Sequence, residues 1–490
     1  MFVAGVIAIV AAVGPMAPAI AAGGTGEVPT VSGPVTGGKG SISLAAPGVD
    51  LVPGYVGEEF FVEGTATSYK PVGTLGPDGK WAVEPNGTAP FRTRIVVYRP
   101  EQASDFNGTA IVEWLNVTAG FESAPDWGNS HTWMAREGVA WVGVSAQVGG
   151  VQGGAATVAG VPAGGLKAAD PDRDGTLEHP GDEFSYDIFT QVGRAVAGDA
   201  ALSPLGDLKP KRVIAAGESQ SAFRMVTYIN AVHPLAKVFD GFLVHSRSES
   251  GAGLGDSGEF SLGGAEMPDI AVIRSDNKTP VLTFQTETDL VELGYLPARQ
   301  KDTKHFRLWE VAGASHADLY TGRLGFTDTG DGSAERALLD PTTADGGPLA
   351  CAQPVNTLPA FAVLNAAMSH LERWVRDGTP PPKAPRIETA DGALVRDEHD
   401  NAKGGIRTPS IDVPLATING ERNQGGSFCG LFGRTIAFDD ATLAALYPSQ
   451  QAYVKAFDRA TSKAVRAGYL LPKEADHLRA AARDLPIPQG

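Results

Sequence analysis

Apolar positions along this chain fall into short unbroken runs that alternate with spaced stripes. Residues 213–216 (VIAA) form a run of the length expected for a buried strand. Immediately beyond the next turn, Ala222, Met225, Val226 and Ile229 recur at helical spacing. Similar apolar or β-branched runs predict strands at 55–69, 91–98, 108–116, 138–145, 239–245, 280–286 and 306–311. Helical stripes predict helices over 126–137, over 185–200 with Ile188, Val192 and Val196 inward, and over 358–375 with Phe361, Leu364, Met368 and Leu371 inward. Two more follow, over 449–467 with Gly468 as its cap and a short one from Pro472. From the fourth strand on, strand and helix alternate, which implies a mostly parallel central sheet with helices on both faces. Two segments poor in periodicity, 149–180 and 246–268, leave carboxyl ends of strands. Open α/β sheets bind ligands there, so these loop insertions are expected over the active site. Residues 23–40 read as a flexible lead and 405–430 as a Gly-, Ile- and Pro-rich tail. The division expected is 1–22, a signal peptide; 23–378, the catalytic domain; and 379–490, a helical C-terminal extension packed on it.

The strand that turns at 217–221 carries Gly217-Glu218-Ser219-Gln220-Ser221 at its corner. This is G-x-S-x-G with Ser221 at the last position, the pattern that lifts a serine hydroxyl above a sheet. The turn is tight, so the residues two before and two after the serine must be small, and Gly217 and Ser221 are. A serine hydroxyl is a weak nucleophile without a base in hydrogen-bond reach. Of nine histidines, His316 is the best placed, in a small-residue loop just past the strand at 306–311. His245, at the end of another strand, is the runner-up, and His179 in a His-Pro-Gly loop is a candidate pocket-lining residue. His131, His233, His370, His399 and His477 lie in helical or polar-loop contexts and read as structural.

The base needs an orienting acid, expected at a strand end between the serine and the histidine. Residues 285–289 (QTETD) supply two, Asp289 as the favoured acid and Glu287 as the alternative. Two N–H donors must receive a developing oxyanion, and the backbone of Gln220 and of the loop at Asn116 or Val117 are the candidates. Trp114 and Trp127 are candidate pocket walls, although core packing fits them as well.

Composition narrows the picture. The formal charge of −16 argues against a nucleic-acid or anionic-membrane partner. Residues 2–13 are apolar and Ala19-Ile20-Ala21 fits a cleavage site, so an exported protein is expected, secreted or periplasmic, despite the missing basic n-region. That run is too short to span a bilayer, and no later segment is long and apolar enough to do so. Two cysteines, Cys351 and Cys429, suggest one disulfide in such a chain, two buried thiols being the alternative. Asp170, Asp172 and Asp174 have the spacing of a calcium-loop start, but the twelfth position is Gly181, so no metal site is expected. Asn86, Asn107 and Asn116 begin N-x-Thr sequons.

The stretches VEWLNVTAG from Val112, WVGVSAQ from Trp141, HPGDEFSYDIF from His179, GESQSA from Gly217, TETDL from Thr286 and GASHADLY from Gly313 together resemble the α/β-hydrolase superfamily. More narrowly, they resemble a family of largely uncharacterised exported bacterial α/β-hydrolase-domain proteins, and RTPSIDVPLA and AGYLLPKEA extend the likeness over nearly the whole mature chain. The resemblance implies an α/β-hydrolase fold and the triad Ser219, Asp289 and His316. In tannase-like and feruloyl-esterase-like enzymes a cysteine precedes the nucleophile, whereas here it is Glu218, so that substrate class is not implied. The expected function is a serine hydrolase of small-molecule carboxylic esters, working through an acyl-enzyme without a cofactor. An amidase or thioesterase with the same triad, or a binding protein on the same scaffold, are the alternatives.

Overall fold

The computed structural model describes residues 27–156, 162–255, 267–426 and 428–487. Residues 1–22, read as a signal peptide, and parts of both insertions (157–161 and 256–266) lie outside the described residues. Nine strands build one sheet: β1 (Thr30–Ser32), β2 (Tyr55–Pro71), β3 (Val83–Pro100), β4 (Thr109–Trp114), β5 (Ala140–Val144), β6 (Arg212–Glu218), β7 (Gly241–His245), β8 (Val281–Thr286) and β9 (Phe306–Val311). Their order is β1-β2-β3-β5-β4-β6-β7-β8-β9. The five pairings from β5 to β9 are parallel, while β1, β2 and β3 add an antiparallel margin. Every residue of β4, β5, β7, β8 and β9 is buried, as expected of parallel strands covered on both faces.

Alternation along the strands divides two cores. Ile111, Ile214 and Ala216 face a cluster that includes Trp127, Trp133, Trp141, Trp309 and Phe361. Val112, Trp114, Val213 and Ala215 face the other, with Tyr186, Phe189, Tyr228 and Phe242. Helices α1 (Pro125–Glu137) and α5 (Ala360–Asp377) cover the first face; α2 (Ser185–Ala197) and α3 (Gln220–Thr227) cover the second. A short helix α4 (Glu287–Val291) follows β8 directly. The C-terminal helices α6 (Gln450–Ala467) and α7 (Pro472–Asp484) send Tyr453, Phe457 and Leu478 into the first core. Ser449, expected inside this helix, is its N-cap and accepts the Ala452 N–H.

Two stretches read as irregular are ordered. Within the lead, Val31 is buried and β1 pairs antiparallel with β2. Three residues between glycines and prolines are too few to show a period. In the Gly-rich tail, a hairpin of β10 (Ala416–Asn419) and β11 (Arg434–Ala437) encloses a loop held by the disulfide Cys351–Cys429. Among the described residues no helix is long and apolar enough to cross a membrane.

The polar interior is fastened by buried ion pairs. Arg94 meets Glu59 at 3.0 Å and also binds Glu122, and all three side chains are out of solvent. Glu113, fully buried on β4, accepts the N–H groups of Asp126 and Trp127 (both 2.9 Å) and the Trp141 indole (2.7 Å), so it anchors the start of α1 against the sheet. Burial, with Asp126 nearby, pushes its carboxyl well above the ordinary range.

Candidate active site

The corner after β6 is strained in the expected way. Ser219 has φ 56° and ψ −122°, a left-handed conformation uncommon for a residue with a side chain. A Cβ at Gly217 would stand 2.9 Å from the Ser221 carbonyl oxygen and 3.0 Å from Met225, so glycine is required there. Ser221, the other small position, is completely buried. The Ser219 N–H is given to the His245 carbonyl at 2.9 Å, which fixes the corner to the neighbouring strand.

Three of the expected residues meet. His316 Nε2 lies 2.9 Å from Ser219 Oγ, and His316 Nδ1 lies 2.7 Å from Asp289 Oδ1. Asp289 is held by a capping box: its other oxygen accepts the Thr286 N–H at 2.7 Å, while its own N–H is donated to Thr286 Oγ1 at 3.3 Å. One carboxylate thus closes the start of α4 and orients the imidazole. The alternative acid, Glu287, makes no hydrogen bond to His316 among the described residues. Its carboxylate accepts the N–H groups of Gly313 (2.5 Å) and Gly420 (3.1 Å) and pairs with Arg396 (3.2 Å). Two residues apart on a helix, the side chains diverge by about 200°, so only one can reach the histidine.

The two amides expected as oxyanion donors have different surroundings. Gln220 opens α3 directly after the serine. The Asn116 amide, however, is donated to the Ser123 carbonyl at 2.9 Å, because the loop after β4 folds back as a bridge between these two residues. Asn116 Oδ1 accepts the Thr118 N–H at 2.8 Å, which leaves the Val117 amide between two committed neighbours and, among the described residues, without a protein acceptor.

Glu218 brings chemistry that the motif did not announce. Its Oε1 is 3.2 Å from His316 Nε2, and its Oε2 accepts from Asn116 Nδ2 at 3.3 Å. Burial raises its carboxyl to about 7, against the opposing pull of His316 and His245. Burial alone would lower the His316 imidazole, but Glu218 and Asp289 overrule it and hold it up at about 9. The runner-up base, His245, is engaged elsewhere: its Nδ1 meets Asp126 Oδ1 at 2.8 Å, and its ring stands edge-on to Phe284. Burial works against protonation of His245, and the Asp126 contact outweighs it, so the imidazole is raised.

A cavity of about 180 Å³ opens over Ser219 and His316, with Glu218, His245 and Asp318 as its other ionisable lining groups. Burial raises the Asp318 carboxyl to about 6 even though Thr321 donates to it from both its N–H and its hydroxyl. Phe361 and Leu364 of α5 and Phe428, Leu431 and Phe432 beside Cys429 supply apolar wall. The α5 pair sits on a stripe that reads as core, and the F-C-G-L-F run lies in a Gly-rich tail, so only its aromatic density could have flagged it. His179 is not at the cavity; its ring bonds the Ala146 carbonyl and the Gly181 N–H. Trp114 and Trp127 are wholly buried in the two cores rather than pocket walls. The sequon residue Asn116 is likewise buried. Asp170 caps a helical turn and accepts the Lys39 N–H at 2.6 Å.

A family model described as "Alpha/beta hydrolase domain" matches residues 31–480. Among solved structures, similarity extends to the esterase Est22, at 14% identity over 54% of this chain and 74% of that one, with a TM-score of 0.30. A serine hydrolase from Xanthomonas campestris, XC6422, is 12% identical over 50% of this chain and 83% of that chain, with a TM-score of 0.25. The carboxylesterase Cest-2923 from Lactobacillus plantarum is 14% identical over 47% and 78%, also with a TM-score of 0.25. No curated protein matches the chain in sequence.

Proposed function

Because the chain belongs to the alpha/beta hydrolase domain family, we propose that it is an exported serine hydrolase of carboxylic esters, with Ser219, His316 and Asp289 as its triad. The observation that carries this reading is the 2.9 Å approach of His316 Nε2 to the hydroxyl of a serine on a strained strand-to-helix corner. Export is supported by the apolar amino-terminal stretch and by the Cys351–Cys429 disulfide.

Ser219 Oγ attacks the ester carbonyl while His316 Nε2 takes its proton. Asp289 holds the Nδ1 proton and stabilises the imidazolium that forms. The amides of Gln220 and Val117 receive the oxyanion, helped by the positive end of α3. His316 passes its proton to the departing alcohol, and the acyl group remains on Ser219. Water, deprotonated by the same imidazole, releases the acid and restores the serine.

A fluorophosphonate probe tests the reading. Stoichiometric labelling of the wild type that disappears in Ser219→Ala is expected, together with hydrolysis of simple esters faster than of matched amides. A folded wild type that neither labels nor turns over any ester would overturn it and favour a binding protein on the hydrolase scaffold.

A further inference from the structure

A second cavity adjoins the first. It measures about 470 Å³, against 180 Å³ over the serine, and the two share Ala119, Ser123, Pro125, Thr321, Phe428 and Phe432 as lining. Among the described residues the larger space has no charged side chain in its lining. Beyond the shared residues it is bounded by Pro47, Tyr320 and the side chains of Phe121, Phe326 and Leu349, whose exposures are 54%, 44% and 44%. Three large apolar side chains so exposed, gathered at one concave place, form a surface that costs free energy until an apolar group covers it. Its size falls in the range of small-molecule sites, whereas the cavity over Ser219 is below that range.

We propose that the larger cavity is the hydrocarbon subsite of the enzyme, and that the substrate is an uncharged ester with one compact group and one long or bulky apolar group. This rests on the esterase reading given above. The occupant follows from adjacency: the two cavities share six lining residues, so a group attached to a carbonyl at Ser219 has the larger space beside it, across Phe428 and Phe432. The exclusion of charge follows from the linings. Among the described residues neither cavity offers an arginine or lysine, and the smaller one presents the carboxyls of Glu218 and Asp318. A carboxylate on the substrate would lose water and gain no partner.

The test is a series of unbranched esters with acyl groups from two to ten carbons, repeated with the chain on the alcohol side. In wild type, kcat/KM is expected to rise about fourfold per methylene over the middle of one series. An ester of the same length tipped with a carboxylate should show no such gain. Phe326→Asp, which changes the larger cavity alone, should flatten the rise and leave the acetate rate unchanged. Flat kcat/KM in both series, or equal loss on acetate and long esters in Phe326→Asp, would overturn the inference. Calorimetric titration of Ser219→Ala with methyl octanoate reads the subsite without turnover. Binding that weakens at least tenfold when Phe326→Asp is added is expected, and no binding, or binding indifferent to that change, would overturn the subsite. Binding without hydrolysis by wild type would instead refute the esterase reading alone.

Discussion

Replacing Glu218 by glutamine removes one of the two carboxylates that flank the His316 imidazole and leaves the length of the side chain intact. The amide oxygen of Glu218→Gln can still accept from Asn116 Nδ2, now 3.3 Å away, so the corner should hold its shape. The charge, however, is gone from a point 3.2 Å from Nε2. An opposite charge that close raises an imidazole by about one to three pH units. His316 stands at about 9 with both carboxylates present. It must be neutral to take the serine proton, so wild-type kcat/KM is expected to climb as pH rises and to level off only near pH 9. At pH 7 only about one molecule in a hundred has the base ready. In Glu218→Gln the acid limb should move down by about one to three pH units, and kcat/KM at pH 7 should rise roughly ten- to ninetyfold towards an unchanged plateau. The assay is initial rates on a neutral ester from pH 5 to 10 for both proteins. A wild-type limb near pH 7, or a limb that stays put or moves upward in the variant, would refute the reasoning.

Further outcomes can be checked directly. Asp289→Asn should lower kcat by about three to four orders of magnitude with little change in melting temperature, as judged by ester kinetics and calorimetry. Glu287→Gln should do the reverse: it strips the charge that accepts the Gly313 and Gly420 N–H groups, Arg396 keeping Glu421, and a loss of about 1–3 kcal/mol in denaturant titration is expected with a functional serine still labelled by a probe. Arg94→Met leaves Glu122 without a cation in the interior, while Glu59 keeps Arg173, and should cost about 3–5 kcal/mol in the same titration. Replacing both Cys351 and Cys429 by alanine frees a loop whose ends lie 78 residues apart, and the chain-entropy model gives about 4.5 kcal/mol, visible as a lowered unfolding midpoint.

Much of the frame was readable before any coordinates. Strand β5 is a continuous apolar run, and α5 carries an unbroken stripe, so burial wrote their periods plainly. The corner at Ser219 is legible because it demands small neighbours, whereas the strand end after Thr286 offers both Glu287 and Asp289 and the sequence does not separate them; the capping box that turns Asp289 to His316 does. Other features depend on contacts between distant segments, which leave no local period. Glu218 meets His316 only after β6 and the loop past β9 are brought side by side. The Asn116 amide was lost to Ser123 by a fold-back that a run of mixed residues does not announce. Val31 pairs with β2 from within a segment whose glycines and prolines suggest no structure at all.

The disulfide has a consequence for how this molecule could be engineered. Cys429 lies between Phe428 and Leu431, which border the chamber over Ser219, while its partner Cys351 follows Leu349, which borders the adjoining one. The cross-link therefore ties a segment that borders both cavities to one that borders the larger. Shortening the chain at residue 378, however natural a boundary that looks on paper, would strip away the first of these segments along with Phe432. If the proposed chemistry holds, a library built to alter substrate preference is best aimed at the residues around this cross-link, where side chains can change while Ser219, His316 and Asp289 keep their places.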